Sequence, residues 1–258
     1  MSDSPFTGPG VFWISSNTSD EAVFPYTDFV RWYEDVHIPD VVNADPENPL
    51  PVERRYELVS GDTDAAAKPF LVIYKLPTLS FVTSEAFRHI PLHHKQIPED
   101  GPIAKFASFR GRFARHVETW VGGGATGTLL LSEIVESSNV NDYSECMSTV
   151  AGLPGWQRST HFEVVMENEI DKDKAPPAGG PAPPATTSTD KPPRWLTLHE
   201  FDEKRLEGVG EVIAKLESSL LERKGRADED IFELVPYRLV RVYGDKAAAF
   251  ADGKDTKV

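Results

Sequence analysis

The chain has 258 residues, enough for one large domain or two of ordinary size. Its 27 Lys and Arg against 41 Asp and Glu give a net charge of −14, a field that repels nucleic acid and anionic membrane. One cysteine, Cys146, excludes an internal disulfide and a cysteine-based metal cluster.

No run reaches the ~18 apolar residues of a membrane helix. The opening MSDSPFTGPG lacks a charged region followed by an apolar one, so no secretory signal is read and a cytoplasmic location is expected. Val11 to Ser16, with Trp13 inside it, reads as a strand ended by a polar turn at Asn17 to Asp20. Thr27 is placed to cap a helix and Asp28 to favour its positive end. Phe29, Trp32, Tyr33, Val36 and His37 then fall on one helical face. Pro39 disfavours helical geometry at Ile38, so the helix is expected to end or kink there. Arg54 to Val59, which holds Tyr56, and Phe70 to Leu76, which holds Tyr74, read as two strands joined at Ser60-Gly61-Asp62. Thr83 or Ser84 starts a second helix that turns Ala86, Phe87 and Ile90 inward. Gly111 to Val121 reads as a strand with Arg112, Ala114, His116, Glu118 and Trp120 on one face.

Gly122-Gly123-Gly124 then joins two strands; it lacks the lysine and hydroxyl residue that end a phosphate-binding loop. The order of elements repeats beyond it: strand Thr128 to Val135, helix Asp142 to Ala151, strands His161 to Met166 and Trp195 to Phe201, helix Val209 to Leu221, strand Ile231 to Val242. Residues 171–193 hold seven of the 21 prolines and read as a disordered, mobile insertion at a loop tip. A shift of 114 positions lays Asp28 on Asp142, Phe29 on Tyr143 and Val36 on Val150. It also lays Trp32 on Cys146, Tyr33 on Met147 and His37 on Ala151, so packing residues persist while the polar and aromatic ones do not. The expected fold class is therefore α+β: two tandem ferredoxin-like βαββαβ repeats, 10–121 and 126–245, packed into an intramolecular α+β barrel around a lined cavity. A chain that closes its own barrel is expected to be a monomer, with homodimerisation through exposed edges left open.

The stretch Phe29-Val30-Arg31-Trp32-Tyr33-Glu34-Asp35-Val36-His37-Ile38-Pro39-Asp40 resembles the EthD-like members of the dimeric α+β barrel superfamily, whose aromatic-rich first helix often ends in His-Ile-Pro. The resemblance covers residues 10–245 at the level of element order. It implies small-molecule chemistry on hydrophobic, often aromatic or polyketide-like substrates, generally without a dissociable cofactor. Members include cyclases, isomerases, decarboxylases, dehydratases and cofactor-free oxygenases, and some relatives bind haem. Ala151 replaces the motif's histidine in the second half, which puts a second active site in doubt.

His37 is the first catalytic candidate, a histidine between helix dipole and apolar layer and suited to general acid or base work. The alternative is a structural histidine bonded to a backbone carbonyl near the Pro39 bend. Tyr33 could supply a proton or orient an oxygen, and Trp32 could wall the pocket; both could equally be core. His116 shares its strand face with charged residues, which is a site if that face is internal and ordinary surface if not. Trp13, Tyr56, Tyr74, Trp120 and His199 complete the candidate substrate-binding set, Tyr74 and His199 at matching places in their repeats. His89, His93 and His94 lie close in sequence but diverge in any regular element, so no metal site is expected. The leading reading is a cofactor-independent cyclase, isomerase or lyase of secondary metabolism, with His37 and Tyr33 managing protons. Cofactor-free monooxygenation of an aromatic substrate and a non-catalytic ligand-binding or stress-type protein are the alternatives.

Overall fold

The computed structural model describes residues 4–59, 68–122, 127–136, 143–170, 194–206, 208–224, 232–246, 249–250 and 256–257. Strand β1 (Gly10–Thr18) leads to α1 (Tyr26–Trp32), a π-helical turn (Tyr33–His37) and α2 (Ile38–Val42). There follow β2 (Val52–Leu58), β3 (Phe70–Leu76), the short α3 (Glu85–Arg88) and β4 (Ala107–Val121). The second series is β5 (Leu129–Glu136), α4 (Tyr143–Ala151), β6 (Trp156–Ile170), β7 (Arg194–Phe201), α5 (Val209–Lys224) and β8 (Phe232–Gly244). A two-residue β9 (Thr256–Lys257) runs parallel to the end of β4.

The strands lie in the order β1-β3-β2-β8-β5-β7-β6-β4, and β4 pairs back onto β1. Eight antiparallel strands thus close a barrel. Within it β4-β1-β3-β2 and β8-β5-β7-β6 are the same ferredoxin-like arrangement, stitched together by the pairs β2–β8 and β4–β6. The tandem α+β barrel expected from the order of elements is what forms.

Its strands are apolar on both faces because both faces are covered. On β3, Leu71 and Ile73 join Val11, Trp13, Tyr56, Leu130, Phe162, Leu196, Leu198 and Tyr237 in one buried cluster inside the barrel. Phe70, Val72 and Tyr74 instead pack with Phe29, Trp32, Tyr33 and Ile38 in a separate cluster beneath the first helix. Among the described residues the barrel interior is therefore a packed core and not the lined cavity expected. Each large aliphatic or aromatic side chain buried there contributes about 1.5–3 kcal/mol, which favours filling the space. Two buried ion networks are built into this core. Arg54 pairs with Glu200 at 2.7 Å under the ring of Phe250, and Arg112 lies over Trp13 while reaching Glu167 at 3.2 Å and Glu233 at 3.3 Å.

Several local expectations change. The first helix starts at Tyr26 behind Pro25, so Thr27 lies inside it and caps nothing. It does not end at Ile38: one widened turn lets the Ile38 N–H donate to the Tyr33 carbonyl five residues back, and the helix resumes with Pro39 in its first turn. Proline has no N–H to donate, and its ring would clash with the preceding turn of a regular α-helix; the wider turn absorbs both defects. Ser84 caps α3, its Oγ accepting from the Phe87 N–H at 3.2 Å, but that helix spans only Glu85–Arg88. A bulge between His116 and Glu118 in β4 breaks the alternation, so Trp120 does not share the face of Arg112 and Ala114. The turn at Ser60-Gly61-Asp62, Gly123, Gly124 and the insertion at 171–193 lie outside the described residues. No described helix is long and apolar enough to cross a membrane.

Candidate functional site

The widened turn decides the geometry around His37. In a regular α-helix residues five apart point in different directions; here the extra backbone residue per turn brings Trp32 and His37 together. Their rings stack at 5.0 Å with an interplanar angle of 19°, and Tyr33 meets His37 edge-on at 5.0 Å. Such π-helical turns recur at functional sites because they re-aim side chains at some cost in helix stability. Trp32 and Tyr33 are buried, and His37 is 9% exposed.

Facing this helix, the register of the barrel sets five side chains in a row. Tyr243 on β8 pairs with Glu53 on β2, Glu53 with Tyr74 on β3, Tyr74 with Phe12 on β1, and Phe12 with Phe113 on β4. Phe12 stacks on Phe113 at 4.3 Å and on Tyr74 at 5.8 Å, with Phe87 edge-on to Phe12, so the row has an aromatic floor. Above Glu53, Glu34 is bridged by Arg55 and, at 2.7 Å, by Arg241.

Several polar atoms of this layer are buried and unmatched. The Tyr243 hydroxyl, Trp32 Nε1, His37 Nδ1 and both Glu53 carboxyl oxygens have no hydrogen-bond partner, while the Tyr33 and Tyr74 hydroxyls interact with each other. Buried polar groups are almost always paired, because an unpaired one costs about 1–3 kcal/mol. Burial also sets their charge states. It holds His37 down at about 4, and so neutral at physiological pH. It pushes Glu53 up to about 9, helped by Glu34 and opposed by Arg55 and Arg241. It raises the Tyr33 and Tyr74 phenols too, and these two lie close enough to influence each other. The layer therefore offers a neutral imidazole, a neutral carboxyl and two phenols against an aromatic wall. Groups of these kinds can hydrogen-bond ring oxygens and accept a proton.

The fold repeat places a matching row in the second half: Trp120, Ser159, His199, Leu131 and Pro236. There the polar groups satisfy one another. Trp156 Nε1 donates to Ser159 Oγ at 2.9 Å, Ser159 meets His199 Nδ1 at 2.8 Å, and His199 Nε2 meets Glu133 at 2.9 Å. Of the candidate residues, His37, Tyr33, Trp32 and Tyr74 come together in the first half. His199 and Trp120 stand in the outer layer of the second half, and Trp13 and Tyr56 lie in the barrel core. His116 stands apart, half-buried, with Nε2 2.9 Å from Thr119 Oγ1 and its ring edge-on to Phe162. Glu53, Tyr243, Phe12 and Phe113 are members of the site that the sequence reading did not single out.

His89, His93 and His94 each meet local backbone groups, and among the described residues no group of three His, Cys, Asp or Glu is placed to hold a metal. A cleft of about 510 Å³ opens beside the start of α1, with Phe24, Asp28, Arg31 and Gln96 in its wall. Phe24 packs edge-on against Phe29, which meets Tyr33 at 5.5 Å, so two aromatic rings separate the cleft from the His37 group.

No known protein family and no curated protein matches the sequence. Solved structures match in shape. A "putative monooxygenase" from Fusobacterium nucleatum superposes with a TM-score of 0.51 at 7% identity, covering 93% of this chain and 96% of that one. An "anthrone oxidase-like protein" gives 0.49 at 11% identity, covering 93% and 96%. A "putative monooxygenase" from Lactobacillus acidophilus gives 0.46 at 10% identity, covering 93% and 98%. At such identities the likeness is one of fold. The first of these structures is named a monooxygenase and not a cyclase, isomerase or lyase. The cyclising, isomerising or eliminating enzyme expected from the sequence is corrected on that ground.

Proposed function

We propose that the protein is a cofactor-free monooxygenase that oxidises an electron-rich aromatic substrate held between the first helix and the sheet of the first repeat. The observation that carries this reading is the concentration of buried, unmatched polar atoms on Glu53, Trp32 and His37, beside the Tyr33–Tyr74 pair, within an aromatic layer. A ligand with ring oxygens would satisfy them. The Phe29–Asp40 motif supports placing the chain beside the EthD-like proteins, and the name of the first of the structures that share its fold favours oxygenation over the other chemistries of that group.

The chemistry needs an acidified carbon and a base. Neutral His37 takes the proton from a ring methylene, and the anion formed beside it offsets the burial cost of the imidazolium. Tyr33 and Tyr74 hydroxyls stabilise the oxyanion into which the charge delocalises. The electron-rich anion then reduces O₂, the resulting hydroperoxide loses water, and a carbonyl is left: CH₂ plus O₂ gives C=O plus H₂O. The substrate supplies all the electrons, so the balance needs no external reductant.

Oxygen uptake with anthrone, a tricyclic ketone with an activated methylene, tests the reading. Wild type is expected to consume one O₂ per anthrone. H37A is expected to bind anthrone with similar affinity and to turn over about 10²–10⁴-fold more slowly. Wild type that retains anthrone unchanged under oxygen would sink the proposal in favour of a binding protein.

A further inference from the structure

The two repeats differ most where they should be most alike. At one pair of matched positions, Ser159 is fixed by Trp156 and by His199, which Glu133 holds in turn, while Glu53 is fully buried with neither oxygen partnered. Glu53 is flanked along the sheet by Tyr243 on one side and Tyr74 on the other, with Tyr33 above. The neighbouring cations, Arg55 and Arg241, are engaged by Glu34. An orphaned carboxyl at that place is destabilising unless something else binds it. The second repeat shows that the fold can satisfy a polar side chain at this position, so the open carboxyl is not imposed by the architecture.

We propose that Glu53 is the specificity-determining group of this site, binding a ring hydroxyl of the aromatic ligand between the Tyr74 and Tyr243 hydroxyls. The inference rests on the first-repeat layer being the substrate site. As a neutral acid the carboxyl both donates and accepts, so it can hold an oxygen substituent that a purely apolar wall would reject. A site built around a buried polar group discriminates strongly against an analogue that leaves that group unpaired. Glu53 takes no part in the oxidation, which His37 and the substrate carry. Its effect falls on which ring is bound and in what orientation.

The experiment compares two ligands of one shape, 1,8-dihydroxyanthrone and anthrone, on wild type, E53M and E53Q, with circular dichroism as the check on folding. Wild type is expected to prefer the hydroxylated ring. E53M is expected to lose ~10–200-fold in affinity for it while binding anthrone as before. E53Q, which keeps a donor and an acceptor, retains most of the preference. Equal affinity of wild type and E53M for both ligands, or an equal loss for both in folded E53M and E53Q, would overturn the assignment. Oxygen uptake separates this from the oxygenase reading. Discrimination without uptake overturns oxygenation alone; uptake without discrimination overturns the role of Glu53 alone. Wild type that binds neither ring overturns both.

Discussion

His37 and Glu53 are both buried in their neutral forms, and their contributions to stability run in opposite directions with pH. His37 titrates at about 4 in the folded protein against an ordinary 6.5, so the unfolded chain binds the extra proton between those values. Its stabilising share is complete above 6.5 and is lost as pH falls toward 4. Glu53 titrates at about 9 against an ordinary 4.5, so the folded protein holds the extra proton. Its share is complete below 4.5 and is lost as pH rises toward 9. Of the two, only Glu53 contributes to the slope above 6.5. The urea midpoint of the wild type is expected to fall between pH 6.5 and 9, and that of E53Q to stay nearly level, with E53Q the more stable by at least about 1 kcal/mol at pH 9. An unchanged slope in E53Q would show that the carboxyl is not held neutral. Tyr33 and His37 were legible in the sequence because helical spacing puts them one turn apart with Trp32 beside Tyr33, whereas the widened turn that stacks Trp32 on His37 was not. Glu53 was not, because only strand register across β8, β2 and β3 reveals what it faces. It stands one residue before the strand read at Arg54 to Val59.

At the scale of elements, the widened turn at Tyr33–His37 is what stacks Trp32 on His37. Pro39 was legible as a disturbance, but its residue type cannot say whether a helix stops, kinks or widens; packing of Ile38 and Val41 into the core decides that. In the second repeat the Glu133–His199–Ser159 chain plays a structural part. His199→Leu is expected to destabilise the protein by about 1–3 kcal/mol by breaking the buried hydrogen bonds to Glu133 and Ser159, without changing anthrone turnover per folded molecule. Loss of turnover with stability intact would move the chemistry to the second repeat.

For the whole molecule, the decisive feature is that two βαββαβ units close one barrel through β2–β8 and β4–β6. That architecture was legible because the element order repeats and both members of the repeat carry apolar strands. The packed interior was not, because a strand with two apolar faces does not say which face meets its partner sheet and which meets a helix. A fragment of residues 4–122 would expose β2 and β4 as edges and uncover Val11, Trp13, Leu71 and Ile73. It is expected to self-associate, most simply as a dimer that rebuilds the barrel; a stable monomeric fragment in sedimentation would contradict this. The proposed substrate site is the layer under the first helix, and oxygenation there is the central claim. Its most direct test is turnover of anthrone under ¹⁸O₂ in ordinary water, read by mass spectrometry of the product carbonyl. One atom of ¹⁸O in the new carbonyl, absent when the reaction is run under argon, is the predicted result. A product that forms without oxygen, or whose new oxygen comes from water, would contradict the account.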